Sequence, residues 1–468
     1  MALRGGRSIC ATEGAIFSKM IVFVVPLMLT NIMQQLYSMA DNIVVGQFSG
    51  DPVALAAIGS TSTFIALLTA LLTGFSAGIG AVVSRNFGAK DYLALERGVH
   101  TSVILGAVIG IAVCVFGLIL SRPILVLLDT KDEFIDKSLL YVRIVLSGIP
   151  AVAVMNSGAA ILRSVGDSKT PFYTLTASGV LNVLLNLLFV IAFKMAIAGV
   201  AIATVVSQYL SAVVIILMLI RRKNEPYSLK LNKLRVDRGV LANILRLGVP
   251  AAIQGSLFGI TNLCLIRALN GFPTPVLSAR TIATNIDVLL STVINTYLHV
   301  AMTFTGQNLG AKKYDRIKKS LFYALLQVVT IGVSVGQLML IFYEPLVNLY
   351  LAPDDPNRAE VLAAAKTIMT VMLSSYFIGA INESLSGFLR GLGNSVAPMI
   401  VSVVGICGFR MLWIFAIFPS LNDLVGLYLV YPISWTLTGL GLSIMAIVTY
   451  RKIAKSETAV PALQKNDT

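Results

Sequence analysis

The sequence predicts an all-α membrane protein: twelve transmembrane helices in two pseudo-symmetric six-helix lobes. Three observations lead there. The 468 residues are 56% hydrophobic and only 12% charged, with a mean hydropathy of +0.84. A soluble domain carries about 25% charged residues, so this chain lacks the polar surface to coat itself in water. Apolar runs of membrane-crossing length, about 20 residues, recur along the chain. Short motifs also recur once each, in the same order. Asn86-Phe87-Gly88-Ala89-Lys90 returns as Asn308-Leu309-Gly310-Ala311-Lys312, and Val25-Pro26 returns as Val249-Pro250. Arg163-Ser164-Val165-Gly166-Asp167-Ser168-Lys169-Thr170-Pro171 returns as Arg390-Gly391-Leu392-Gly393-Asn394-Ser395-Val396-Ala397-Pro398. The offsets are 222, 224 and 227 residues, which marks a duplication.

The spans fall at residues 16–45, 53–84, 98–120, 135–160, 170–193 and 197–220, then 242–268, 275–307, 318–342, 361–388, 396–417 and 423–449. Glycines and prolines inside them are tolerated in membrane helices. Basic residues follow the even-numbered spans. Arg85, Lys90 and Arg97 follow the second; Arg163 and Lys169 the fourth; Arg390 the tenth. The link after the sixth holds Arg221, Arg222, Lys223, Lys230, Lys233, Arg235 and Arg238; that after the eighth holds Lys312, Lys313, Arg316, Lys318 and Lys319. The alternate links are poor in Lys and Arg or carry acids such as Asp354, Asp355 and Glu360. Even links and both termini are therefore expected in the cytoplasm. Six spans per half is an even number, so the halves enter the membrane in the same direction. The organisation is 1–220 N-lobe, 221–241 cytoplasmic linker, 242–450 C-lobe and 451–468 cytoplasmic tail. No Ala-x-Ala-like site follows the first apolar run, so no cleaved signal peptide is expected.

The net charge of +14 sits in these short links rather than on one face, so it reads as topology and not as a nucleic-acid surface. Cys10, Cys114, Cys264 and Cys407 are scattered singly, and two histidines in the whole chain argue against a His-based metal site or heme. No phosphate loop, nucleophile elbow or HExxH sequence appears, so an enzyme is not expected.

Polar residues inside the spans carry the functional reading. Asn31, Gln34, Gln35, Ser38, Asp41 and Asn42 lie on one stripe of the first helix. Lipid cannot solvate such a stripe, and a carboxylate within a membrane helix costs about 2.5–3.5 kcal/mol. The alternative is that Asp41 lies at the headgroup level and is simply hydrated. Asn182 and Asn186 share a face of the fifth span at i,i+4, with Thr204 one or two turns into the sixth. Oxygens from Asp41, Asn182, Asn186 and Thr204 could surround a protonatable carboxylate or a sodium ion; the two asparagines could equally be helix–helix hydrogen bonds. At the Val25-Pro26 offset Asp41 maps onto Leu265, while Gln254, Thr261 and Asn262 keep a weaker stripe. The second half takes its charges from Asp287, Glu383 and Arg410, with Arg267 and Arg280 nearer the outer ends. Glu383 or Asp287 is expected to pair with Arg410 as a structural bridge, substrate contact being the other reading. His299 reads as a packing residue. Pro26 removes one helix hydrogen bond and could be a hinge or a static kink; Pro250 is its repeat partner. The two repeated loop motifs read as structural turns whose glycines supply unusual backbone angles.

The order and duplication of these motifs resemble the multidrug and toxic compound extrusion (MATE) transporters across residues 15–450, including Gln34-Gln35-Leu36-Tyr37-Ser38-Met39-Ala40-Asp41 in the first helix. The resemblance implies a secondary exporter of drugs or metabolites that exchanges them for protons or sodium. It implies that Asp41 is the N-lobe coupling carboxylate, with Asn182, Asn186 and Thr204 in its cation site. Gln34, Tyr37, Tyr141 and Asn156 match positions near the N-lobe cavity, and Pro26 matches a proline at which the first helix bends. Many members have Asp where this chain has Asn186. A first-half Asp with no acid on helix 7 is similar to the DinF-like branch. No cofactor is expected beyond the coupling proton or sodium ion. The expected partners are the bilayer and a cationic or polar amphiphilic small molecule, met by a monomer in the plasma membrane. A lipid-linked oligosaccharide flippase of a related superfamily is the alternative; the few, mixed mid-membrane charges speak against it.

Overall fold

The computed structural model describes residues 8–48, 53–128, 130–269, 271–351, 356–421 and 423–464, without the side chains of 260, 262–264, 266, 267 and 456–464. Asp354 and Asp355 lie outside the described residues, as do the side chains of Asn262, Cys264 and Arg267. Twelve helices have membrane-crossing length and composition. They are α1 (Ile16–Phe48), α2 (Ala54–Gly88), α3 (Tyr92–Leu127), α4 (Ile135–Ser164), α5 (Lys169–Ala192), α6 (Ala196–Arg221), α7 (Arg238–Gly259), α8 (Thr274–Gly310), α9 (Tyr314–Ile341), α10 (Arg358–Gly391), α11 (Val396–Leu421) and α12 (Leu424–Lys455). All twelve expected spans are present. α7 continues as helix to Leu269. In lipid every backbone group must be satisfied within the segment, which is why these apolar runs are helices and why no strand occurs among the described residues.

The chain divides into two compact units. One is Met1–Ala11 with Ile21–Ser256; the other is Thr12–Met20 with Leu257–Thr468. Their sequence boundaries thus fall inside α1 and α7. The start of α1 is held in the second unit, where Phe17 O accepts from Gln327 Nε2 at 3.1 Å and Gly14 O from Arg316 Nη2 at 3.0 Å.

The duplication is visible in the packing. In the first unit α4 is the hub, packed on α2, α3 and α6; in the second α10 is the hub, packed on α8, α9 and α12. It is visible again in the turns. Lys90 and Lys312 take left-handed φ of 57° and 56°, and Gly166 and Gly393 take 88° and 86°. Only glycine adopts such angles without steric cost. At both glycine turns the next side chain caps the helix that follows: Asp167 Oδ1 accepts from Thr170 N at 3.0 Å, and Asn394 Oδ1 from Ala397 N at 3.1 Å.

The copies differ in what holds those turns. Asp167 is fully buried and bonded to Arg222, whose Nη2 also donates to Thr170 Oγ1 at 2.8 Å and whose Nη1 donates to the Tyr227 hydroxyl at 2.8 Å. Burial works against the Arg222 charge, but the Asp167 carboxylate more than restores it and holds the guanidinium above its usual range. The rest of the connection to α7 is strapped along α3. Lys230 N donates to His100 Nε2 at 3.1 Å, its Nζ meets Glu96 at 3.0 Å, and Asp237 N donates to Thr101 Oγ1 at 3.0 Å. A bond from Val240 N, and secondly the Arg97 guanidinium, hold the Asp237 carboxyl below the usual carboxylate range.

Candidate functional site

The first unit brings the four expected cation-site residues together. Asp41, half-buried on α1, accepts a short hydrogen bond on Oδ1 from Asn186 Nδ2. Asn186 is fully buried on α5, and its Nδ2 lies 3.4 Å from Asn182 Oδ1, one turn earlier on the same face. Asn182 Nδ2 in turn donates to Thr204 Oγ1 on α6 at 3.4 Å, and that hydroxyl donates to Val200 O at 2.9 Å. A polar chain therefore runs from α1 through α5 to α6. One turn further along all three helices, Val44, Val45, Val190 and Val200 pack with Ala54 into an apolar cluster. This cluster walls one side of the polar layer.

The orientation of Asn186 decides what this layer can do. Its amide nitrogen faces the carboxylate, which suits an ionised Asp41, while its Oδ1 is buried without a partner among the described residues. Which amide atom is oxygen is an assignment drawn from the hydrogen-bond network. Rotating the amide by half a turn would present Oδ1 to Asp41. That arrangement suits a protonated carboxyl, which donates, or a sodium ion, which takes hard oxygen ligands. The same residues therefore fit either a proton on the carboxyl or a sodium ion. Immediately beyond, α5 widens into a π-helical turn at Leu188–Ala192; such turns often mark functional sites.

Among the other expected first-unit residues, Tyr37 and Tyr141 are placed near this layer. The Tyr37 hydroxyl donates to Thr176 O on α5 at 3.1 Å, and its ring lies over Gly179, where a Cβ would come within 1.8 Å of Cε2. Tyr141, half-buried on α4, lies within electrostatic reach of Asp41. Gln34 is exposed on α1 and Asn156 half-buried on α4, and neither is bonded to the chain of four. Pro26 is buried inside α1, which runs through it as one helix; Thr30 Oγ1 donates to Pro26 O at 2.7 Å.

In the second unit Asp287, Glu383 and Arg410 line one cavity of about 360 Å³ together with Arg280. Five aromatic side chains, Phe258, Tyr376, Tyr428, Tyr431 and Trp435, line its walls. The expected bridge from Arg410 to a carboxylate is not made. The Tyr376 side chain lies near Asp287, and the charge that acts on Glu383 is Arg390. Arg410 instead stacks on Tyr431, with Cζ 4.3 Å from the ring centroid, and its Nε donates to Ser434 Oγ at 3.3 Å. The Tyr431 face reaches the guanidinium, a planar group that stacks on aromatic rings, whereas no carboxylate comes within salt-bridge distance of it among the described residues. Sequence reasoning missed the aromatic wall. Its signal was present: Tyr428, Tyr431 and Trp435 are spaced by three and four residues and so share one face of α12. His299 has interactions of its own and is half-buried. No group of three or more His, Cys, Asp or Glu able to hold a metal occurs among the described residues.

A duplicated bundle of membrane-length helices, with a polar chain buried in one copy and a charged cavity in the other, defines a membrane transporter and not an enzyme. The family model described as MatE matches residues 26–188 and again 250–415, once per repeat and over more than half of the chain, and the protein therefore belongs to the MATE family of transporters. A relative described as the probable multidrug resistance protein YoeA of Bacillus subtilis is 26% identical over 91% of this chain and 92% of its own. The multidrug export protein MepA of Staphylococcus saprophyticus is 23% identical over 91% of each chain. A solved structure described as the outward-facing conformation of a multidrug resistance MATE family transporter superposes with a TM-score of 0.86 at 20% identity, covering 97% of this chain and all of its own.

Proposed function

We propose that the protein exports small molecules, drugs or metabolites, by antiport with alternating access, coupled to protons or sodium through Asp41. The observation that carries this reading is the bond from buried Asn186 to Asp41, extended by Asn182 and Thr204. Relatives described as multidrug resistance and multidrug export proteins support drugs as the substrate class. The first-half acid supports a place in the DinF-like branch. The distribution of Lys and Arg supports a plasma-membrane protein with both ends in the cytoplasm, and the protein works as a monomer. Lobes 1–220 and 242–450 move about the connection 221–241, with Pro26 as the hinge of α1.

Ionised Asp41 attracts a cationic or polar amphiphile. A proton or sodium ion arriving from outside neutralises the carboxylate, and the substrate leaves outward. Asn186 follows the change by turning its amide, donating to the ionised acid and accepting from the neutral one. The test is uptake of a fluorescent cation into inverted vesicles under an imposed pH gradient or an imposed sodium gradient. Uptake is expected under one of the two, and Asp41→Asn should abolish it while leaving the melting profile intact. Wild-type uptake by Asp41→Asn would end the assignment.

A further inference from the structure

The second-unit cavity carries chemistry that the coupling reading does not use. Arg410 is only 7% exposed, yet its Nη atoms make no hydrogen bond among the described residues and no carboxylate reaches it at salt-bridge distance. A buried guanidinium without an anion costs several kcal/mol, and such a group is kept where an anion comes and goes. Stacking on Tyr431 and the bond to Ser434 fix the plane of the group and leave its fork toward the cavity that it lines. A planar fork of this kind matches a carboxylate with two parallel hydrogen bonds.

The surroundings extend the description of the ligand. Tyr428 and Tyr431 stack with 14° between their ring planes, Trp435 meets Tyr431 edge-on at 67°, and Arg280 is a second cation on the lining. Asp287 lines the same cavity, and its Oδ1 is buried without a hydrogen-bond partner among the described residues. The backbone marks the same place. Arg410 sits in the short α-helical stretch Phe409–Leu412 between two π-helical turns, Val403–Gly408 and Trp413–Ile417. The repeat also points here. Glu383 stands where the first half has Asn156, at the same 227-residue offset as Arg163 and Arg390, and Leu265 stands where it has Asp41; both line this cavity. The second copy has a leucine where the first has Asp41, and its cavity carries Arg280 and Arg410 beside Asp287 and Glu383.

We propose that this cavity binds a planar aromatic acid, its carboxylate on the Arg410 fork, its rings among the aromatic side chains that line the cavity, and a hydroxyl or amine at its far end donating to Asp287. It deepens the exporter reading by giving the second unit a substrate class, an aromatic acid, that the Asp41 layer would repel. A cavity of about 360 Å³ holds a two-ring acid of this kind.

The test is calorimetric titration of the purified full-length protein with a hydroxynaphthoate, and with the corresponding neutral carboxamide. The acid should bind and the amide should bind much more weakly. Arg410→Gln should weaken the acid by about thirtyfold or more, the cost of leaving one partner of a desolvated charge pair unmatched. Arg410→Lys keeps the charge without the fork and should give a smaller loss. The amide should bind all three proteins alike. Wild-type protein that binds acid and amide equally, or neither, overturns the proposal; so does acid binding that Arg410→Gln leaves unchanged. If Arg410→Gln does not fold, Arg410→Lys decides by the same criterion. Asp41→Asn should bind the acid like wild type, so loss of vesicle uptake and loss of acid binding report on separate proposals.

Discussion

At the scale of the residue, the first-unit site depends on side chains that carry no charge. Gly179 is the clearest case. The Tyr37 ring occupies the volume that a Cβ at 179 would need, the nearest ring atom being 1.8 Å away, and the tyrosine hydroxyl reaches Thr176 O on the same helix. A methyl there must push the ring off α5, one turn from Asn182. Gly179→Ala is expected to cost about 1–3 kcal/mol, the range for overpacking, and to lower vesicle uptake. Combining it with Tyr37→Leu should recover part of the stability, because the smaller side chain vacates the contested space. The thermal melts of the two single variants and the double variant measure this coupling, and strictly additive losses would show that Tyr37 does not rest on Gly179. The sequence pointed to Asp41, Asn182, Asn186 and Thr204 because polar atoms are conspicuous in an apolar helix. Gly179 stood among 37 glycines with nothing to distinguish it.

At the scale of the element, the two copies of one turn have diverged from a shared geometry. Both turns use a left-handed glycine and an Asx cap. Asp167 adds a buried ion pair with Arg222, whereas Asn394 adds only a bond of 3.4 Å from its Nδ2 to Thr449 Oγ1. Asp167→Ala should therefore cost about 3–5 kcal/mol, since it strands a mostly buried arginine. Asn394→Ala should cost about 1 kcal/mol, the value of a helix cap. Melting temperatures in one detergent compare them directly, and equal shifts would mean that Arg222 finds water once Asp167 is gone. The twelve spans and the repeat were legible because lipid forces long apolar helices and because glycine turns keep their motifs. The π-helical turns beside Asn186 and Arg410 were not legible, since an i→i+5 bond demands no particular composition. The partners of Arg410 were misread for a related reason. Sequence pairs opposite charges by default, whereas in three dimensions the tyrosines of α12 were nearer.

At the scale of the whole molecule, the charge of the exported species decides which part of the ion gradient does work. Each elementary charge that crosses a potential of 100 mV contributes about 2.3 kcal/mol, and half a pH unit contributes about 0.7 kcal/mol. One proton entering in exchange for one monovalent cation moves no net charge, so only the pH gradient drives that export. One proton entering in exchange for a neutral molecule moves one charge and adds about 2.3 kcal/mol per 100 mV; exchange for a monoanion moves two and adds about 4.6 kcal/mol. The first half carries an acid on α1, and the cavity of the second holds Arg280 and Arg410 beside Asp287 and Glu383; on the proposals above, the first half takes a cation and the second an anion. A fluorescent cation should therefore respond to an imposed pH gradient and be indifferent to an imposed potassium-diffusion potential. An aromatic acid, if it is carried and not merely bound, should respond to the pH gradient and also to the potential, inside-positive in inverted vesicles. Measuring both substrates in the same vesicle preparation under each gradient separates the cases, with Arg410→Gln expected to remove only the second response. Potential-driven uptake of the cation would refute one-for-one proton exchange, and acid uptake that ignores the potential would refute a transported anion.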